Sequence, residues 1–238
     1  WWTRLENWGL GMMGYGSTVA FGDSAFGTGA GARLSGTDAI ELFSSESPVL
    51  TVTAHNPTSA VFTLNTSAHG FQAGDLALAC SPRQAALFQI SSAATNQIGH
   101  GAVGSPGNCT ASLGVPRNCG GGSNYTFTTP STVLGKLHAS RWYVANNAAG
   151  RPALYQARLT STGPVNQEIV EGVRTLNLSY LLQGGNAYLN AAGVGGAWDR
   201  VISVRIRADV DAGPGSGVGG QPISRVVEHV VSLRNRNP

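Results

Sequence analysis

The sequence predicts an α+β fold that is loop-rich and mostly β, with one helical segment at its start and antiparallel sheet behind it. Three observations point there. Charged residues make up 11% of the 238 positions while hydrophobic residues make up 42%; an average soluble domain is about 25% charged, so Gly, Ser, Thr and Asn must supply the polarity that helical faces draw from Glu, Lys and Arg. Glycine contributes 33 residues with no three-residue period, which excludes a collagen triple helix and favours a chain broken by turns. The best helical spacing is Trp1, Leu5, Trp8 and Met12, whereas the later chain reads as short strands bounded by turn formers, with clear period-two alternation at 201–210.

The helical stripe is weakened by Gly9 and Gly11, each costing about 1 kcal/mol relative to Ala, and Gly14-Tyr15-Gly16 is expected to end it. Gly22 to Gly36 reads as a loop. Short strands are predicted at 39–43, 49–54, 60–64, 76–80 and 87–90, each bounded by turn-forming residues. Residues 101–123 hold seven Gly, two Pro and two Cys with almost no apolar periodicity. A structureless stretch of that length is uncommon in a compact domain unless something ties it down. A Cys109–Cys119 bridge would do so, contributing roughly 3 kcal/mol by loop entropy.

Residues 141–144 and 153–159 read as a hairpin around the Asn146 to Gly150 turn, residues 167–172 as a helical turn, and 173–182 as a strand. The clearest strand is 201–210, where Ile202, Val204, Ile206 and Ala208 alternate with Val201, Ser203, Arg205 and Arg207. A Gly/Pro loop then leads to 223–233, so that 201–235 forms a C-terminal β-hairpin. With no internal repeat, the chain is read as a single domain over 1–238, with 1–14 as a helix end and 101–123 as an insertion.

Few classes of chemistry fit this sequence. The five His are scattered and none sits at metal-ligand spacing, so no metal and no cofactor is expected. Gly27-Thr28-Gly29-Ala30-Gly31 lacks the Lys-Ser/Thr of a phosphate loop, and no Gly-x-Ser-x-Gly nucleophile elbow occurs. The acids are few, twelve in all, and the pairs to consider are Glu168 with Glu171, and Asp199 and Asp209. An enzyme is not expected. The basic residues are 14 Arg and one Lys, spread along the chain for a net charge of +3, which is not the clustered footprint of a nucleic-acid binder. Arg205 and Arg207 share one strand face and read as solvated, with phosphate binding as the lesser reading. No apolar run approaches the roughly 18 residues of a membrane helix, and the chain as written reads as water-soluble. Cys109 and Cys119 in one Gly/Pro-rich stretch suggest an oxidising compartment.

Four sets of segments occur in order: Leu5-Glu6-Asn7-Trp8-Gly9-Leu10-Gly11-Met12-Met13-Gly14-Tyr15-Gly16; Gly36-Thr37-Asp38-Ala39-Ile40-Glu41-Leu42; Gly74-Asp75-Leu76-Ala77-Leu78 followed by Leu87-Phe88-Gln89-Ile90; and the C-terminal pieces Glu168-Ile169-Val170-Glu171-Gly172-Val173, Trp198-Asp199-Arg200-Val201, Val204-Arg205-Ile206 and Leu233-Arg234-Asn235-Arg236. Together they resemble the PilW family of type IV pilus minor pilins. The first resembles the exit of that family's first helix, the second its first strand, and the third a further strand pair. The family's prepilin-peptidase site and apolar helix are absent from the sequence, so Trp1 is expected to lie within a longer helix. The 101–123 insertion matches no family motif.

The resemblance implies a pilin-like fold, in which the end of the N-terminal helix packs on antiparallel sheet. It further implies a minor pilin that primes pilus assembly in a tip complex and serves twitching motility and adhesion. Its partners would be other minor pilins and the major pilin, with a tip adhesin as a further candidate, and its head would be periplasmic before assembly and extracellular afterwards. Trp1, Leu5, Trp8 and Met12 are then the candidate packing and assembly residues. A J-type pseudopilin of type II secretion is the alternative within the fold, and a β-rich adhesin or carbohydrate-binding module is the alternative outside it. The disulfide stays open at this stage, because Cys80 can pair with either Cys109 or Cys119.

Overall fold

The computed structural model describes residues 1–46, 48–104, 107–115, 119–120, 123–213, 215–220 and 223–236. Parts of the expected 101–123 insertion and of the loop inside the 201–235 hairpin therefore lie outside the described residues. The chain opens on helix α1 (Leu5–Leu10), then β1 (Met12–Tyr15) and β2 (Ala39–Ser45). Six short strands follow: β3 (Leu50–Asn56), β4 (Val61–Leu64), β5 (Leu76–Cys80), β6 (Ala85–Gln89), β7 (Ser92–Ala94) and β8 (Gln97–Gly99). Beyond the cysteine-bearing segment come β9 (Val133–Asn146), β10 (Pro152–Thr160), β11 (Gly163–Glu171), β12 (Val173–Leu182) and β13 (Tyr188–Leu189). Helix α2 (Ala191–Val194), a 3₁₀ turn Trp198–Arg200, β14 (Val201–Asp211) and β15 (Ser224–Ser232) complete the order of main elements.

Among the described residues the protein is mostly β with two short helices, which corrects the α+β, pilin-like expectation of a helix end packed on sheet. Glycine is the physical reason. Gly11 takes a left-handed φ of 69° and its N–H bonds Asn7 O, closing α1 after six residues. The next residue is already in sheet, with Met12 opposite Leu42 and Tyr15 opposite Ala39 on β2. Gly14 allows that strand to lie close to its neighbours, since a Cβ there would sit 2.2 Å from the Tyr180 hydroxyl and 2.7 Å from the Trp198 ring. Residues 167–172 are likewise strand rather than a helical turn, being the end of β11.

The chain divides into two compact units. The first comprises Trp1–Phe43, Ala139–Arg158 and Val165–Pro238. Within it β9 and β10 form a hairpin from Arg158 opposite Ser140 to Pro152 opposite Asn146. Its turn is held by Asn147, whose Oδ1 accepts from the N–H groups of Ala149 and Arg151 and whose Nδ2 donates to Glu168 and Glu171. A four-stranded antiparallel sheet runs β13, β12, β14, β15. One core gathers Met12, Ile40, Val144, Leu178, Tyr180 and Trp198; another gathers Tyr15, Phe21, Tyr143 and Tyr155. Each buried side chain of this size contributes about 1.5–3 kcal/mol. β14 begins buried on both faces, at Val201, Ser203 and Val204, and then exposes Arg205 and Arg207.

The second unit comprises Ser44–His138 and Leu159–Pro164. β3 pairs with β4, β4 with β8, and β8 with β7, all antiparallel. β5 pairs with β6 and with the first residues of β9. Phe62, Phe88, Phe127, Leu64, Ile98 and Leu134 fill its core.

Candidate assembly surface

The four residues of the helical stripe do not form one face. Trp1 and Trp8 are half-buried and converge on Phe43, with ring centroids at 6.2 and 5.1 Å. The Trp8 indole N–H donates to Trp2 O at 2.9 Å. Met12 is buried on β1 in the core of the first unit. The side chain of Leu5 lies outside the described residues.

Sequence reasoning did not pick out what anchors this corner. Arg141 on β9 places its guanidinium 4.6 Å from the Trp1 ring centroid and 4.2 Å from that of Phe21. Its Nε donates to Glu41 at 2.6 Å and its Nη1 pairs with Asp23 at 2.8 Å. The Glu41 carboxylate is fully buried, and a buried carboxylate of this kind is tolerable because it is paired. Burial pushes the Asp23 carboxyl up, but the hydrogen bond and charge of Arg141 outweigh it and hold it below its ordinary range. Burial, and then Glu41, push the Tyr15 phenol well above its ordinary value. The available signal was one charge set inside each of two apolar strands, Ala39-Ile40-Glu41-Leu42-Phe43 and Arg141-Trp142-Tyr143-Val144.

A second buried guanidinium organises the Gly22 to Gly36 region. Arg33 donates to the carbonyls of Val19, Gly16 and Thr37 at 2.7–3.0 Å and lies 4.7 Å from the Phe21 ring centroid. Burial lowers its pKa to about 10, so it remains charged at neutral pH.

In the second unit Cys109 is bonded to Cys119, with Cα atoms 5.1 Å apart, and Cys80 is free and exposed. The neighbouring Asn108 is buried; its side chain accepts from Gln89 N–H and donates to the carbonyls of Gln89 and Gly101. Two histidines, His55 and His100, face each other beneath this segment with Nε2 atoms 3.1 Å apart.

The four-stranded sheet presents a wet face on which the Arg side chains meet carboxylates. Arg205 lies 3.8 Å from Glu228 and 4.1 Å from the Tyr188 ring centroid, and Arg207 lies 4.0 Å from Asp209. At the far end, a cavity of about 250 Å³ is lined by Arg151, Gly172, Arg174 and Asp211 among others. Its charges close in pairs, Arg151 with Glu171 at 2.7 Å and Arg174 with Asp211 at 2.8 Å. Among the described residues no group of three His, Cys, Asp or Glu is placed to hold a metal ion. No described helix is long and apolar enough to cross a membrane.

The family model for type IV pilus-assembly protein W matches residues 141–212. The match supports assignment of the chain to the PilW family. It runs from within β9 through β10, β11, β12 and β13 to the end of β14, which includes Arg141, the hairpin turn and three strands of the four-stranded sheet. It covers less than a third of the chain and stops before β15. No curated protein and no solved structure matches. The PilW match supports a role related to type IV pilus assembly, and a pilus-associated location and contact with pilus components fit it.

Proposed function

We propose that this protein is a minor pilin that helps to prime type IV pilus assembly in a tip complex with other minor pilins. The observation that carries this reading is the PilW match over 141–212, which runs from within β9 to the end of β14. The role needs no catalysis: subunits recognise one another through complementary apolar and polar surface. In this reading the protein is not an enzyme, and it takes no cofactor. The free edge and wet face of the four-stranded sheet supply surface for neighbours, while the half-exposed Trp1 and Trp8, packed on buried Phe43, supply a second patch.

The test is deletion of the gene in its native host, with complementation by the wild-type copy. Surface pili recovered by shearing should fall at least tenfold while the cellular amount of major pilin stays unchanged, and the wild-type copy should restore them. Undiminished piliation after deletion would sink the proposal.

A further inference from the structure

β15 is the last strand of its sheet, and all nine of its residues are exposed. It pairs with β14 in the register that sets Ile206 opposite His229 and Arg207 opposite Glu228. Just past each end of that ladder, Leu233 N–H bonds Ile202 O and Ala212 N–H bonds Ile223 O. Hydrogen-bonded and non-bonded pairs alternate along antiparallel strands, so the odd-numbered residues 225 to 231 bond inward to β14. The N–H and C=O groups of Ser224, Val226, Glu228, Val230 and Ser232 therefore point outward, along an edge that pairs with no further strand among the described residues.

Such a row is a template for another strand, and natural edges are usually short or heavily charged. This one spans nine residues, and its outward positions carry two exposed β-branched apolar side chains, Val226 at 56% and Val230 at 47%, with one carboxylate, Glu228, between them. Arg205 approaches that carboxylate only to 3.8 Å, and Glu228 keeps half of its side-chain surface exposed.

A second copy of this chain fits poorly. A two-fold axis perpendicular to the sheet sets equivalent residues opposite one another, and opposed residues share a face. Pairing centred on β15 places Glu228 against Glu228, and the two neighbouring allowed registers place it against Val226 or Val230. Each opposes the carboxylate to a like charge or to an apolar group.

We infer that the outward edge of β15 receives an extended strand from a different protein, one carrying a Lys or Arg opposite Glu228 and apolar β-branched residues two positions to either side of it, opposite Val226 and Val230. The added strand gains main-chain hydrogen bonds from the five outward residues, and the charge and the two valines set its register. That the donor is another pilus subunit rests on the assembly role proposed above; the strand addition itself does not.

The test uses the full chain labelled for amide NMR and a synthetic nine-residue peptide, Thr-Thr-Val-Thr-Lys-Thr-Val-Thr-Thr, whose valines lie opposite Val226 and Val230 when its Lys lies opposite Glu228. Titration should shift the amides of Val226, Glu228 and Val230, and N-methylation of alternate peptide nitrogens, which removes its donors, should weaken binding more than tenfold. A Glu-centred peptide should bind wild type about two- to five-fold more weakly, as expected for one cross-strand charge pair, and Glu228→Lys should reverse that preference. Absence of shifts on β15, equal binding of the N-methylated peptide, or concentration-dependent dimerisation through β15 in place of peptide binding would each overturn the inference. Normal piliation in the deletion strain alongside β15-specific binding would remove the pilus donor and leave the strand site standing.

Discussion

His55 and His100 share one proton position between their Nε2 atoms, 3.1 Å apart, in a chain of bonds whose direction is fully determined. Phe127 N–H donates to His55 Nδ1, so that nitrogen is bare and the proton of His55 is on Nε2. His100 Nδ1 meets Ala111 O and must carry a proton, which leaves its Nε2 to accept from His55. Both rings are neutral in this arrangement; His55 stacks on Phe62 and meets Phe127 edge-on, and His100 packs against Phe62 and the edge of Phe88. Ala111 and Phe127, on either side of Cys119, are thereby tied to β3 and to the end of β8.

A pH dependence follows. Burial, and for His55 the neighbouring His100, lower both pKa values from 6.5 to about 4. Between those limits the unfolded chain binds more protons than the folded one, so stability is complete above about pH 6.5 and declines as pH falls towards 4. Thermal unfolding at pH 7.5, 5.5 and 4.5 should show a progressive fall in Tm. The slope should shrink in a His55→Phe/His100→Phe variant compared with wild type, and an unchanged slope would remove the pair as its cause.

Arg141 and Glu41 form a buried ion pair at 2.6 Å. Truncating one member strands the other, a loss of about 3–5 kcal/mol in buried pairs. Arg141→Ala should lower the urea midpoint accordingly, and Glu41→Gln less, because the amide oxygen still accepts from Arg141 Nε. Equal and small effects would show that the pair is not anchoring the Trp1 and Phe21 rings.

Gly14 is required by close approach rather than by its φ. A methyl group placed there meets Tyr180 and Trp198, both nearly fully buried, and overpacking of this kind costs typically 1–3 kcal/mol. Gly14→Ala should reduce Tm by several degrees, while Gly16→Ala, where a Cβ meets nothing within 4 Å, should change it little.

The Cys109–Cys119 bridge closes a ten-residue separation and should contribute roughly 2–3 kcal/mol on the loop-entropy model. Cys109→Ser/Cys119→Ser should lower stability by about that amount and increase amide exchange at Ala111 and Phe127. Cys80→Ser should leave both readouts unchanged.

The legible parts of the fold were those written in neighbouring residues. Alternation in Ile202, Val204, Ile206 and Ala208 identifies β14 because the pleat repeats every second residue. The turn around Asn147 and Gly150 was legible for the same reason, as local hydrogen bonding and a positive φ at Gly150 leave a signature in the turn itself. The helical stripe misled for a related reason: four apolar residues at helical spacing describe a face only if the backbone stays helical, and Gly11 ends the helix before Met12.

By itself, then, the sequence determined the β character of this protein, the strand at 201–210, the resemblance of its C-terminal segments to the PilW family, and a short list of three cysteines. Tertiary structure alone decided which two of them join, that Arg141 finds Glu41 100 residues away, that His55 finds His100 45 residues away, and that β15 is left as an edge. The division is physical: periodicity and turn geometry act between residues a few positions apart, whereas ion pairs, shared protons and free edges depend on which strands the whole chain brings side by side.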